Sequence, residues 1–145
     1  MKKQMIKSWI IVLFVGIVQI SFAQDDSISN FDIVGIWKGN DGSQDGSFTF
    51  DKEGHAIIKT KEVVFGGKNF SRGDKVFSLT YEVNLQEEPY QLDFTFTELK
   101  SQRTMVWPCI FKIIDPNKIV LARGSSGKRP EDFKDYESIT LVKEE

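Results

Sequence analysis

The sequence predicts an all-β protein, a single antiparallel up-and-down β-barrel of about eight strands, and three observations carry that expectation. The first is strict alternation. Phe77, Leu79, Tyr81 and Val83 alternate with Ser78, Thr80 and Glu82, and Tyr90, Leu92, Phe94 and Phe96 alternate with Gln91, Asp93, Thr95 and Thr97. Each run reads as a strand with one buried and one wet face. The second is the recurrence of turn signals about every 8–12 residues, as all-β domains require. The third is that no stretch keeps a helical apolar period long enough for a real helix. Short sequential hairpins favour a meander. At about eight strands the interior is either filled by side chains or holds one small ligand.

Residues 1–23 stand apart from that pattern and read as a signal peptide. Lys2, Lys3 and Lys7 form a basic start, Trp9 to Ile20 is an apolar stretch, and Ser21-Phe22-Ala23 supplies the small residues of a cleavage site. The apolar run is too short for a comfortable membrane span. The expected product is an exported protein, periplasmic or extracellular, of one domain over residues 24–145. No stable membrane insertion is expected once the leader is removed. Cleavage takes away three of the 19 basic residues and none of the 21 acids, so the net charge moves from −2 to −5. That balance excludes a nucleic-acid footprint and disfavours an anionic membrane surface. Cys109 is the single cysteine, so no internal disulfide can form, and its apolar neighbours predict a buried, inert thiol.

Taken in order, Ile33 to Trp37 reads as the first strand, and Asn40 to Gly46 as a loop. Ser47 to Phe50 and His55 to Thr60 form a hairpin around Asp51-Lys52-Glu53-Gly54, with Gly54 expected in a left-handed conformation. Gly66-Gly67-Lys68-Asn69 and Ser71-Arg72-Gly73-Asp74 read as one long loop. The two alternating runs are strands four and five. Met105 to Ile114 is the sixth; both its faces are apolar, so the outer one is expected to be partly covered. Pro108 cannot donate to a ladder and predicts an edge, a bulge or a break there. Asp115-Pro116-Asn117 turns the chain into Ile119–Ala122, the seventh strand. Ile139–Val142 is the eighth. Between them, Pro130-Glu131-Asp132 has the residues of a first helical turn, so one short turn of helix is expected.

Two resemblances follow from these residues. Gly35-Ile36-Trp37 resembles the Gly-x-Trp opening of lipocalin-like barrels. There an arginine from the far end of the chain packs over the tryptophan and closes the barrel. The resemblance implies Arg129 over Trp37, with Arg123 as second candidate; guanidinium over indole contributes ~0.5–2 kcal/mol. A second pattern joins that opening to Phe50-x-x-x-Gly54, Pro89 with Leu92-Asp93, Ile110-Phe111-x-Ile113, and Arg129-Pro130-x-x-Phe133. In that order it resembles an uncharacterised exported bacterial domain of lipocalin-like type, over about residues 33–143. That family usually has a glycine and a tyrosine where this chain has Cys109 and Phe111, and it brings no established activity.

No residue set with catalytic spacing is present. His55 is the single histidine and has no predicted nucleophile or acid beside it. One histidine and one cysteine argue against a transition-metal site. Asp41-x-Ser43-x-Asp45-Gly46 places oxygen ligands at alternate positions before a glycine, but Lys52 stands where a calcium loop carries its bidentate acid, so only a weak calcium site stays open there. Glu87-Glu88 are adjacent and point apart, and Asp93 reads as a structural hydrogen-bond acceptor. Neither glycine-rich loop has P-loop spacing. No cofactor is implied. The leading expectation is a non-catalytic binding module for a small, mainly apolar molecule. Trp37, Phe77, Tyr81, Tyr90, Phe94, Phe96, Trp107 and Phe111 would line its barrel. The alternative is a protein-interaction or inhibitor module with a filled barrel, acting through rim segments 40–46, 66–74 and 124–132.

Overall fold

The structure, a computed structural model, describes residues 26–40, 45–134 and 138–145. The expected signal peptide lies outside these residues, as does the centre of the candidate calcium loop at 41–44.

The strongest sequence pattern gives the most regular strand. In β7 (Tyr90–Glu98) Tyr90, Leu92, Phe94 and Phe96 are buried and the residues between them are not. It pairs antiparallel with β6 (Lys75–Asn84) and with β8 (Thr104–Asp115), in registers that place Leu79, Tyr81, Trp107, Cys109 and Phe111 on the same inner face. β9 (Lys118–Arg123) and β10 (Ser138–Lys143) continue the meander. β10 then pairs with β1 (Gly35–Asn40), bringing the two ends of the domain side by side. β2 (Asp45–Phe50), β3 (Ala56–Lys59) and β4 (Val64–Gly66) extend the sheet on the far side of β1, and β5 (Phe70–Arg72) flanks β6. The order around the sheet is β4-β3-β2-β1-β10-β9-β8-β7-β6-β5.

The two ends of that sheet curl toward each other and nearly close an antiparallel barrel. His55 bridges Thr80, the Tyr81 N–H donates to the Gly54 carbonyl at 2.9 Å, and the Leu79 N–H donates to the Gly67 carbonyl at 3.0 Å. Gly54 has φ +89°, the left-handed conformation expected of this turn. The strand count is ten, not eight. All eight expected strands form, and the two additional ones are three residues each: β4 runs into the start of the segment 66–74 expected to be a loop, and β5 lies inside it. Three residues are too few to show a period, and the turn residues on either side mask them.

One end of the barrel, called lower here, is plugged by the chain before β1. A four-residue helical turn, α1 (Asp26–Ser29), leads to Phe31, whose ring contacts Trp37 and Phe111 at 6.1 and 5.7 Å between centroids. Trp37 is fully buried, and its indole N–H donates to the Ile33 carbonyl at 2.7 Å, which satisfies its one polar atom.

On the outside, residues 124–134 form a strap across β7, β8 and β9. Pro108, Ile110 and Ala122 point outward by register yet are buried, and Pro130 is buried with them. The expected cover for the outer face of β8 is therefore this strap. No helical turn forms at Pro130–Asp132; residues 131–134 are a run of bends, and Pro130 is buried against the outer face of the sheet. Gly124 opens the strap; a Cβ there would lie 1.6 Å from the Lys128 carbonyl oxygen. Pro108 is not a bulge but stands at the expected break, where the β8–β9 ladder ends and β8 is paired with β7 alone. Its carbonyl accepts from the Gly124 N–H at 3.2 Å. The N and O of one strand residue face the same side, so its missing donor faces the point where β9 leaves the ladder.

Candidate functional site

The barrel interior is the first place to look for a ligand, and it is packed. Trp37, Leu79, Leu92, Phe111, Ile119 and Leu141 have 0% exposure, so no void that a water molecule could enter touches them. Phe50 meets Tyr81 edge-on at 4.8 Å and Phe94 at 6.0 Å, which fills the middle of the barrel with offset rings. Of the residues expected to line a cavity, Trp37, Tyr90, Phe94, Phe96 and Phe111 are core. The Tyr81 hydroxyl donates to the Asp51 carbonyl at 2.7 Å, and the Tyr90 hydroxyl donates to the Glu88 carboxylate at 2.9 Å. Both expected polar handles are thus engaged within the protein. Burial raises the Tyr81 pKa further above its ordinary value.

The upper end differs. Phe65 and Phe70 come from β4 and β5, the strands the sequence pattern missed, and they join Phe77, Phe96 and Trp107. Phe96 and Trp107 lie 4.5 Å apart, Phe65 meets Trp107 edge-on at 6.2 Å, and Phe70 touches both Phe65 and Phe96. Except for Phe96 these rings are half-buried. Beside them Met105 is 52% exposed although its register points it inward, and the Arg123 guanidinium lies over the Trp107 ring at 4.6 Å. The mouth is an aromatic, cation-topped surface whose lower boundary is the packed core. Two further sequence signals could have led to it, Val64-Phe65 and Phe70, but both are flanked by turn residues.

The cation over the Trp37 ring is Lys143, at 5.6 Å, which also donates to the Asp32 carbonyl at 2.8 Å. This corrects the closure expected from Arg129. Arg129 lies on the outer face, where Asp93 projects from β7, so the barrel wall separates it from the buried indole. Its guanidinium makes a two-pronged pair with Asp93, at 2.6 and 2.8 Å, and donates to the Cys109 carbonyl at 2.9 Å. The hydrogen bond to Asp93 raises the Arg129 pKa beyond its ordinary value. The Arg-Pro-x-x-Phe segment thereby gains a mechanical role: Arg129 clamps, Pro130 fills, and Phe133 sits under the Lys112 ammonium at 5.2 Å. Asp93 is the structural hydrogen-bond acceptor expected of it.

Cys109 is buried, and burial pushes its thiol up to about 12, which removes thiolate chemistry at neutral pH. Asp51, Glu53 and His55 gather at the β2–β3 turn. One ligand atom from each lies within 4.8 Å of the others. The backbone N–H of His55, at 2.8 Å, and that of Glu53, at 2.9 Å, donate to one Asp51 oxygen. The first of these does most to hold the Asp51 carboxyl below its usual range. A recess of about 730 Å³ lies on the outside of the sheet, where Lys38, Ser47, Lys59, Lys61, Thr140 and Val142 meet. Among the described residues no helix is long and apolar enough to cross a membrane. Compared with family models, curated proteins and solved structures, the chain matches none.

Proposed function

We propose that the protein is an exported, non-catalytic interaction module: a filled barrel serves as scaffold, and its upper mouth docks a protein partner. The observation that carries this reading is the contrast in packing, with complete burial at Trp37, Leu79 and Phe111 against half-buried aromatics and an exposed Met105 at the mouth. Tryptophan, arginine, methionine and phenylalanine are the residue types enriched at the centres of protein interfaces. Here Trp107, Arg123, Met105 and Phe70 occupy one surface. The partner chemistry that fits is an apolar side chain flanked by a carboxylate, the first for the rings and the second for Arg123. Export rests on the leader at residues 1–23, and the non-catalytic part on a chain with one histidine and one cysteine.

A small apolar molecule, the occupant that barrel analogy favours, would have to sit in the same mouth, among Phe65, Phe70 and Trp107. The two occupants are separated by native mass spectrometry combined with photo-crosslinking from position 105 in the protein's own host. A defined polypeptide adduct from position 105, absent from position 114 on the opposite outer surface, is the expected result. An added mass of a few hundred daltons, lost in Trp107→Ala, would replace the partner reading with a carrier one. A bare chain with equal labelling from both positions would remove the mouth as a site.

A further inference from the structure

We propose that Asp51, Glu53 and His55 bind one divalent cation of the zinc type at the turn that closes the barrel. Two independent observations meet there. The three side chains can each aim a ligand atom into one space, all within 4.8 Å of one another. In addition, the Nδ1 of His55 is buried and has no hydrogen-bond partner, an arrangement native proteins rarely leave in place. Its nearest carboxylate oxygen, Oδ2 of Asp51, stands at 3.6 Å. That is too long for a hydrogen bond. It is close to the separation of two ligands on one four-coordinate ion, since bonds of about 2.0–2.2 Å at tetrahedral angles put donor atoms roughly 3.4 Å apart.

The turn prepares two of the three ligands. Asp51 spends Oδ1 on the backbone N–H groups of Glu53 and His55, which leaves Oδ2 for an ion. The Tyr81 hydroxyl, from the strand across the closure, donates to the Asp51 carbonyl and fixes the turn from the other side. Glu53 is the adjustable member: it is exposed and paired with Lys68 at 2.5 Å, and it would exchange that ammonium for the ion. One imidazole nitrogen and two carboxylates, with a position left for water, suit zinc or a similar first-row ion. Calcium and magnesium prefer more ligands, all oxygen. Two carboxylates also balance the charge of the ion. Because His55 bridges Thr80 and Gly54 accepts from Tyr81, the site lies on the seam between β3 and β6, and an ion there would tie that seam.

His55 is the single histidine of the chain, so the imidazole resonances of the tag-free, 15N-labelled protein report on this site alone. Titration with Zn²⁺ is expected to shift the Nδ1 resonance and saturate at one equivalent, while Ca²⁺ leaves it unmoved. Asp51→Asn and Glu53→Gln should each weaken the Zn²⁺ affinity by about 10-fold or more. Glu53 is exposed, so its variant keeps the test decisive even if Asp51→Asn disturbs the turn. Imidazole resonances unmoved by a tenfold excess of Zn²⁺ would overturn the proposal. So would undiminished affinity in Glu53→Gln, which would leave Glu53 outside the site and too few ligands for a built one.

Discussion

The lower barrel and its mouth are built from the same residue types but are covered by different things. Below, Phe31 and the segment before β1 cap Trp37 and Phe111, which are both fully buried. Above, Phe65, Phe70 and Trp107 have neighbours on one side and solvent on the other. Aromatic rings alternating along strands therefore do not announce a ligand cavity. What decides the matter is whether another part of the chain arrives to cover them. The outer face of β8 makes the same point, since Ile110 and Pro108 are buried only because residues 124–134 return across them.

The comparison can be broken most directly in the lower barrel. Phe111→Ala should cost about 3–5 kcal/mol in urea denaturation, because a fully buried ring leaves a cavity that its neighbours cannot fill. A loss below about 1 kcal/mol would mean the lower barrel is not packed as described.

Arg129→Ala comes next, at about 2 kcal/mol, since it strips charge-assisted hydrogen bonds from Asp93 and from the Cys109 carbonyl in a partly exposed setting. Hydrogen exchange at Gly124, whose N–H is held by Pro108, should speed up as the strap loosens. Arg129→Lys should not restore the wild-type rate, because an ammonium cannot make the two-pronged contact.

At the mouth, Trp107→Ala should cost only about 1–2 kcal/mol, as a half-buried ring loses part of its transfer energy. It should also raise the rate at which Cys109 is labelled by a thiol reagent, since the two residues share the inner face of β8. Equal labelling rates would place the lid over Cys109 elsewhere.

The smallest expected effect is at Asp51, tested with a chelator present. Its folded pKa lies below the ordinary 3.8, chiefly through the N–H of His55. Its contribution is thus complete above about pH 4 and lost as pH falls through the folded value. Asp51→Asn should be less stable than wild type near neutral pH by under about 1 kcal/mol, because the carboxylate is largely in water. The two proteins should converge in strong acid. A difference that grows on acidification would reverse the sign of this assignment.

The elements legible in the sequence are those whose evidence is local. The alternation at residues 77–83 and 90–97, the turn at Gly54 and the hairpin around Asp115-Pro116-Asn117 each depend on residues within a few positions of one another, and all appear in the structure. β4 and β5 were hidden because three residues cannot display a period among Gly66, Gly67 and Gly73. The pairing of Arg129 with Asp93 spans 36 residues of chain, and that of Lys143 with the carbonyl of Asp32 spans 111. No spacing rule reaches so far. The Gly-x-Trp opening pointed to a cation over Trp37, yet which cation arrives depends on where β10 ends.

By itself, then, the sequence determined the class, the order of eight of the ten strands and the inward faces of β6, β7 and β8, because side-chain direction in a strand alternates with period two. Only the tertiary structure decided that the barrel is full below and open in aromatics above, that the strap lies outside, and that Asp51, Glu53 and His55 face one another. Those features depend on contacts between segments distant in the chain, and such contacts exist only once the sheet has closed.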